Sequence, residues 1–119
     1  MKISFKKLNL EYLLLGIILA FGFFLRVWKL GLPSLWIDES TSAIASLNII
    51  TKGLPIFDSG LLYSRAYLFH YLQAFFLLFG QTEFLARFVS VIFGLLIIFL
   101  AYKIGREYSK SGGLISALF

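Results

Sequence analysis

The uninterrupted uncharged run from Tyr12 to Leu25 constrains this chain more than any other feature. With its flanks, residues 8–28, it reaches the roughly 20 residues that a helix needs to cross a bilayer. Lys2, Lys6 and Lys7 precede it, Arg26 and Lys29 close it, and Trp28 suits a membrane interface. A cleaved signal peptide is the competing reading, with Ala20 and Gly22 as small residues before a cut. Phe23, Phe24 and Leu25 oppose it, because they continue the apolar run where a polar cleavage region is expected. The rest of the composition agrees with a membrane setting. Apolar residues make up 60% and charged ones only 14%, against about 25% charged in soluble domains. A small soluble domain cannot hide that much apolar surface.

The net charge of +5 forms no basic stripe, so nucleic acid is not an expected partner. The basic residues flank apolar runs, where they set orientation. There are no cysteines, which excludes disulfides and thiolate metal sites. No internal repeat is present.

After the first run, Gly31, Pro33 and Ser34 break the helix. Residues 38–52 read as a short helix, capped by Asp38 or Ser40 and followed by Gly53. Pro55, Asp58, Ser59 and Gly60 mark a turn, and 64–79 an aromatic-rich helix ended by Gly80. A second spanning run covers 83–104, a basic loop 103–111, and the start of a third apolar run 112–119. The expected class is an all-α polytopic membrane protein fragment. It has two complete transmembrane helices, two juxtamembrane helices in the first outer loop, and the start of a third span. On this reading the fragment alone is inactive, for want of further walls.

Orientation follows from parity. The clusters Lys2/Lys6/Lys7 and Lys103/Arg106/Lys110 both belong in the cytoplasm by the positive-inside rule, so an even number of crossings separates them. The Ala66–Phe79 run reaches only about 21 Å at 1.5 Å per residue, short of a 30 Å core. It carries His70 and Gln73 on the side of Arg65. It is therefore expected at the outer interface, with 29–82 as one extracytoplasmic loop of a plasma-membrane protein. Three crossings is the competing reading.

Chemistry then falls to that loop. Asp38 and Glu39 are adjacent carboxylates beside Trp36, able to serve as a base or as metal ligands. The plainer role is a helix start. Arg65, with Tyr63 and Tyr67 beside it, can grip a phosphate, or snorkel. His70 is an acid–base candidate or a structural ring. Arg26 is a flank residue or faces the site. Glu83 and Arg87, four apart, are expected to pair along one helix. No phosphate loop, zinc motif or serine triad order appears.

The order of these pieces resembles the N-terminal part of C-type polytopic glycosyltransferases that use polyprenyl-phosphate sugars. Within that class it is most similar to the protein O-mannosyltransferases and the aminoarabinose transferases of lipid A. The pieces are Arg26 to Pro33, Trp36-Ile-Asp-Glu-Ser40, Ala43 to Pro55, His70 to Gly80, Glu83 to Ser90 leading to Arg106, and Gly112 to Ala117. The resemblance implies an inverting sugar transfer from the lipid donor to an acceptor protein or glycolipid. Asp38 would be the base, Glu39 its partner, and Arg65 a group near the lipid phosphate. Tyr63, His70 and Arg26 are further substrate-binding candidates, and a divalent ion held by Asp38 and Glu39 is one way to steady the leaving phosphate. Where relatives often have proline after the basic position, this chain has Ala66. The alternatives are a transporter or channel subunit, which would place ionisable groups within its spans, and a small non-enzymatic membrane protein.

Overall fold

The computed structural model describes residues 5–119, with side chains from residue 10 onward. Lys2 and the side chains of Lys6 and Lys7, part of the expected basic cluster, lie outside the described residues. The described chain is helical: α1 Phe5–Val27, α2 Ile37–Lys52, α3 Tyr67–Leu77, α4 Glu83–Tyr108 and α5 Lys110–Leu118. The described residues divide into two compact units, one of residues 5–28 and 91–119, the other of residues 29–90.

In the first unit, α1 and α4 are the two helices long and apolar enough to cross a membrane. Only 17% of each apolar window is buried within the protein, which separates them from soluble core helices. A helix that is apolar on all sides with so little protein around it needs lipid. Leu15, Tyr102 and Ala117 form the small core of this unit, with Ile18, Leu19, Ile98 and Leu114 against it. Helix α5 lies close on α4 because Gly113 leaves no side chain in the way: a Cβ there would sit 3.0 Å from the Tyr102 carbonyl oxygen. The Ser109 hydroxyl caps α5, accepting from the Gly112 N–H at 2.9 Å.

One polar cluster interrupts this apolar packing. Glu11 is buried, and its Oε1 accepts from the Tyr102 hydroxyl at 2.6 Å and lies 3.0 Å from Arg106 Nε. The Arg106 guanidinium also covers the rings of Tyr12 and Tyr102, at 5.5 and 5.9 Å. A carboxylate in an apolar helix is costly unless paired, and here guanidinium and phenol supply the pairing. A neutralised clasp of this kind is not the free ionisable group that a transport pathway uses.

The second unit packs α2 against α3. Ala43, Ala45, Ser46 and Ile49 of α2 are buried, as are His70, Gln73, Ala74 and Leu77 of α3. Gln73 ties the elements together: its Oε1 lies 2.6 Å from the Ser46 hydroxyl, and its Nε2 donates to the Ala86 carbonyl at 2.7 Å. The segment between the helices folds back as a hairpin with an isolated bridge, Ile56 to Leu62. Asn48 Nδ2 donates to the Ile56 carbonyl at 2.9 Å, and the Tyr71 hydroxyl to the Gly53 carbonyl at 3.0 Å. Gly53 ends α2 with φ 77°, a left-handed residue that costs glycine little.

Several boundaries differ from the sequence reading, each for a local reason. Helix α3 is Tyr67–Leu77, not 64–79, because Ala66 sits at φ 49° and cannot begin a right-handed turn. At about 16 Å it is shorter than the run it was read from. Helix α4 continues through Lys103 and Arg106 to Tyr108, so the expected loop 103–111 shrinks to Ser109, and α5 starts at Lys110 rather than at 112. Arg106 in the last turn of α4 turns toward Glu11, with Nε 3.0 Å from its Oε1. The cap of α2 also moves. Trp36 is the N-cap, and the Glu39 carboxylate accepts its N–H at 3.1 Å, so neither Asp38 nor Ser40 serves.

Candidate active site

Asp38 and Glu39 are neighbours in the first turn of α2, yet the fold gives them opposite circumstances. Glu39 is bound by Arg87 from the second turn of α4. Arg87 Nε lies 3.1 Å from Glu39 Oε1, and Nη2 lies 2.7 Å from Oε2. This two-pronged contact matches the planar guanidinium to the carboxylate plane. The same guanidinium donates to the carbonyls of Leu30 at 2.8 Å, Pro33 at 2.7 Å and Ser34 at 3.1 Å. Those carbonyls belong to the Gly–Pro break, which has no ladder of its own to satisfy them. Arg87 therefore fastens the whole entry into α2. It does not form the expected helix-face pair with Glu83, because Glu39 offers both oxygens in one plane and the carbonyls surround it.

The Arg87 hydrogen bond holds the Glu39 carboxyl below its ordinary range, reinforced by the Trp36 N–H. Asp38 is exposed and has no hydrogen-bond partner among the described side chains. Both carboxylates line a cavity of about 180 Å³ with Leu35, Ser42, Phe69, Gln73, Ala86, Arg87 and Ser90. A cleft with one free carboxylate, one guanidinium, two hydroxyls and one amide can accept a proton and hold an oxygen-rich ligand. With Glu39 committed to Arg87, the acid pair offers a single carboxylate to an ion. No group of three His, Asp or Glu stands together among the described residues. These residues do not make a metal site by themselves.

The other candidates are not part of that cavity lining. Arg65 is exposed in the bend before α3, next to the left-handed Ala66. Proline, fixed near φ −65°, could not adopt the Ala66 backbone, so the absence of proline here matches the local geometry. Tyr63 stacks on His70 with ring centroids 5.2 Å apart and meets Phe57 edge-on at 5.6 Å. Arg26 belongs to the other unit, where it donates to the Gly22 carbonyl at 3.1 Å and packs over Gly94.

His70 is 1% exposed, and neither imidazole nitrogen has a hydrogen-bond partner among the described residues. Burial pushes it below the ordinary histidine value. A histidine kept neutral by the fold contributes stability that is full above about pH 6.5 and is lost as pH falls toward its lowered folded value. The Glu39 contribution, with a depressed pKa, is lost only below about pH 4.3. Protection factors for hydrogen exchange in the hairpin and α3, corrected for the intrinsic pH dependence of exchange, are therefore expected to fall as pH drops below about 6.5, and His70→Phe should flatten that dependence. An unchanged pH profile in His70→Phe would show that another group titrates.

Sequence reasoning passed over Arg87 as a site residue and missed Glu11 as a contact. Spacing alone pairs Arg87 with its helix neighbour Glu83. Glu11 stands directly before the uncharged run, where no local signal marks a partner.

No curated protein and no solved structure matches the chain significantly. One family does: residues 64–119 match the family described as dolichyl-phosphate-mannose-protein mannosyltransferase. The matched stretch holds Arg65, α3, α4 with Arg87, and α5, whereas Asp38 and Glu39 precede it. Over residues 64–119, a little under half of its length, the chain is thus similar to the dolichyl-phosphate-mannose-protein mannosyltransferases, a family of C-type glycosyltransferases.

Proposed function

We propose that the chain helps to form a transferase that moves a sugar from a polyprenyl-phosphate carrier to an acceptor hydroxyl at the outer face of the plasma membrane. The observation that carries this is the division of labour between the two acids. Arg87 holds Glu39, and Asp38 stands free in the cavity lining. In the reaction, the acceptor oxygen bonds to the anomeric carbon as the bond from that carbon to the phosphate oxygen breaks. The acceptor proton passes to Asp38, and polyprenyl phosphate leaves. Attack from the face opposite the leaving group inverts the anomeric centre.

Arg65, Tyr63 and Arg26 are the candidates for the phosphate, since a guanidinium fork and a phenol suit phosphate oxygens. His70 contributes through Tyr63, which rests on its ring. On this reading the N-terminus is cytoplasmic and 29–82 is outside. The outward side of α3 supports an interfacial position: Leu68, Tyr71, Leu72 and Phe75 are exposed, as are Leu78 and Phe79 just after the helix, while His70 and Gln73 are buried. That inversion of the usual soluble pattern suits the lipid boundary.

The test is transfer of a labelled sugar from a polyprenyl-phosphate donor by membranes carrying the full-length protein. The label is expected on a hydroxyl of a protein or glycolipid acceptor. Donor recovered intact across acceptor classes, with the protein present at normal level, would refute the reading.

A further inference from the structure

We propose that Leu32, Trp36 and Ile37 form a wedge that docks into the bilayer interface and holds the start of α2, with Asp38, at the lipid surface. The inference rests on the membrane reading of α1 and α4, and its test does not depend on sugar transfer. These three apolar side chains are 73%, 80% and 83% exposed, the first two on the loop and the third opening α2. In water such a cluster would be a liability.

It is also held firmly. Arg87 binds the carbonyls of Leu30, Pro33 and Ser34, and Glu39 accepts the Trp36 N–H, so the backbone that carries the cluster is fixed on both sides of Trp36. A loop with so many fixed groups spends little ordering entropy on binding.

Two tethers choose lipid as the occupant. Leu32 follows Trp28, at the end of α1, by four residues, or at most about 14 Å of extended chain. Arg87 lies in the second turn of α4, whose uncharged run begins at the next residue, Phe88. The segment is thus joined through the chain to the end of α1, and through Arg87 to the start of the α4 apolar run. Its composition of one indole between aliphatic chains is what the headgroup boundary prefers. Asp38 follows Ile37 directly, so a wedge at that depth keeps the carboxylate at the water side of the same boundary. That is where the phosphate of a lipid-linked substrate would lie.

The experiment uses the full-length protein in phosphatidylcholine vesicles, with tryptophan emission quenched by lipids brominated high or low on the acyl chain. The Trp36 signal is the component lost in Trp36→Phe. Trp28→Phe gives the matching component for a residue at the end of α1. The Trp36 component should be blue-shifted, quenched more by shallow than by deep bromines, and shielded from aqueous iodide. Quenching by iodide, with none by lipid, would place Trp36 in water and overturn the proposal. Silence to both quenchers would place it against protein and overturn it equally. If the wedge fails while sugar transfer persists, the transferase reading stands; if transfer fails while the wedge holds, only that reading falls.

Discussion

Asp38→Asn is expected to lower sugar transfer by roughly 10²-fold or more while leaving the protein at its normal level in the membrane. The two halves of that expectation come from different observations. The large rate effect follows from removing the only acceptor that the free carboxylate could offer to the attacking hydroxyl. The small structural effect follows from the position of Asp38 in α2. Trp36 is the N-cap, Glu39 closes the cap, and Asp38 makes no hydrogen bond of its own among the described side chains. Asparagine therefore forfeits only the favourable placement of a negative charge near a helix N-terminus, about 0.3–1 kcal/mol. The loss should appear in kcat more than in KM, since a base acts in the transition state. Glu39→Gln should be milder in rate, because the Glu39 carboxylate is held by Arg87 and is not the free acceptor. If Asp38→Asn turns over at near-normal rate, the free acid is a surface charge, and the catalytic part of the proposal fails even though the family match remains.

The sequence and the fold agree where one local signal decides the outcome. The apolar runs around α1 and α4 are legible because few environments other than lipid tolerate them. Gly53 is legible as the end of α2 because a left-handed residue there favours glycine. The Asp38–Glu39 pair stands out because it is the only adjacent acidic pair in the chain. What the sequence could not divide was the labour within that pair. The decision lies 48 positions away in Arg87, and charge spacing along one helix pointed to Glu83 instead. The short α3 was hidden for a similar reason. Nothing in the composition of Ser64-Arg65-Ala66 announces a left-handed alanine. Glu11 and Arg106 meet across separate helices, and no spacing rule within either helix reports such a contact.

Arg87→Met should loosen the entry to α2 and lower transfer together, and the coupling of the two effects is the informative part. Methionine preserves much of the aliphatic length but strands four acceptors: the Glu39 carboxylate and the carbonyls of Leu30, Pro33 and Ser34. Hydrogen bonds to a charged group contribute about 1.5–3 kcal/mol each when well enclosed. The Arg87 side chain is 13% exposed and that of Glu39 is 42% exposed, so solvent screens the pair and the sum is far from additive. A net local loss of about 2 kcal/mol is the expected scale, which is about a 30-fold rise in hydrogen exchange across residues 30–40. Arg87→Lys should recover little of it. One compact ammonium cannot bridge a carboxylate in two-pronged fashion and also reach three carbonyls. Glu39→Gln should loosen the segment less than Arg87→Met, because Arg87 keeps its three carbonyl partners. Transfer should fall in the same order, by as much as about 10²-fold in Arg87→Met, since a displacement near 1 Å is enough to misplace a base. The pairing of exchange with turnover separates positioning from direct phosphate binding. If Arg87→Met reduces transfer while exchange over 30–40 is unchanged, Arg87 acts on the substrate itself and not through the loop that carries Asp38.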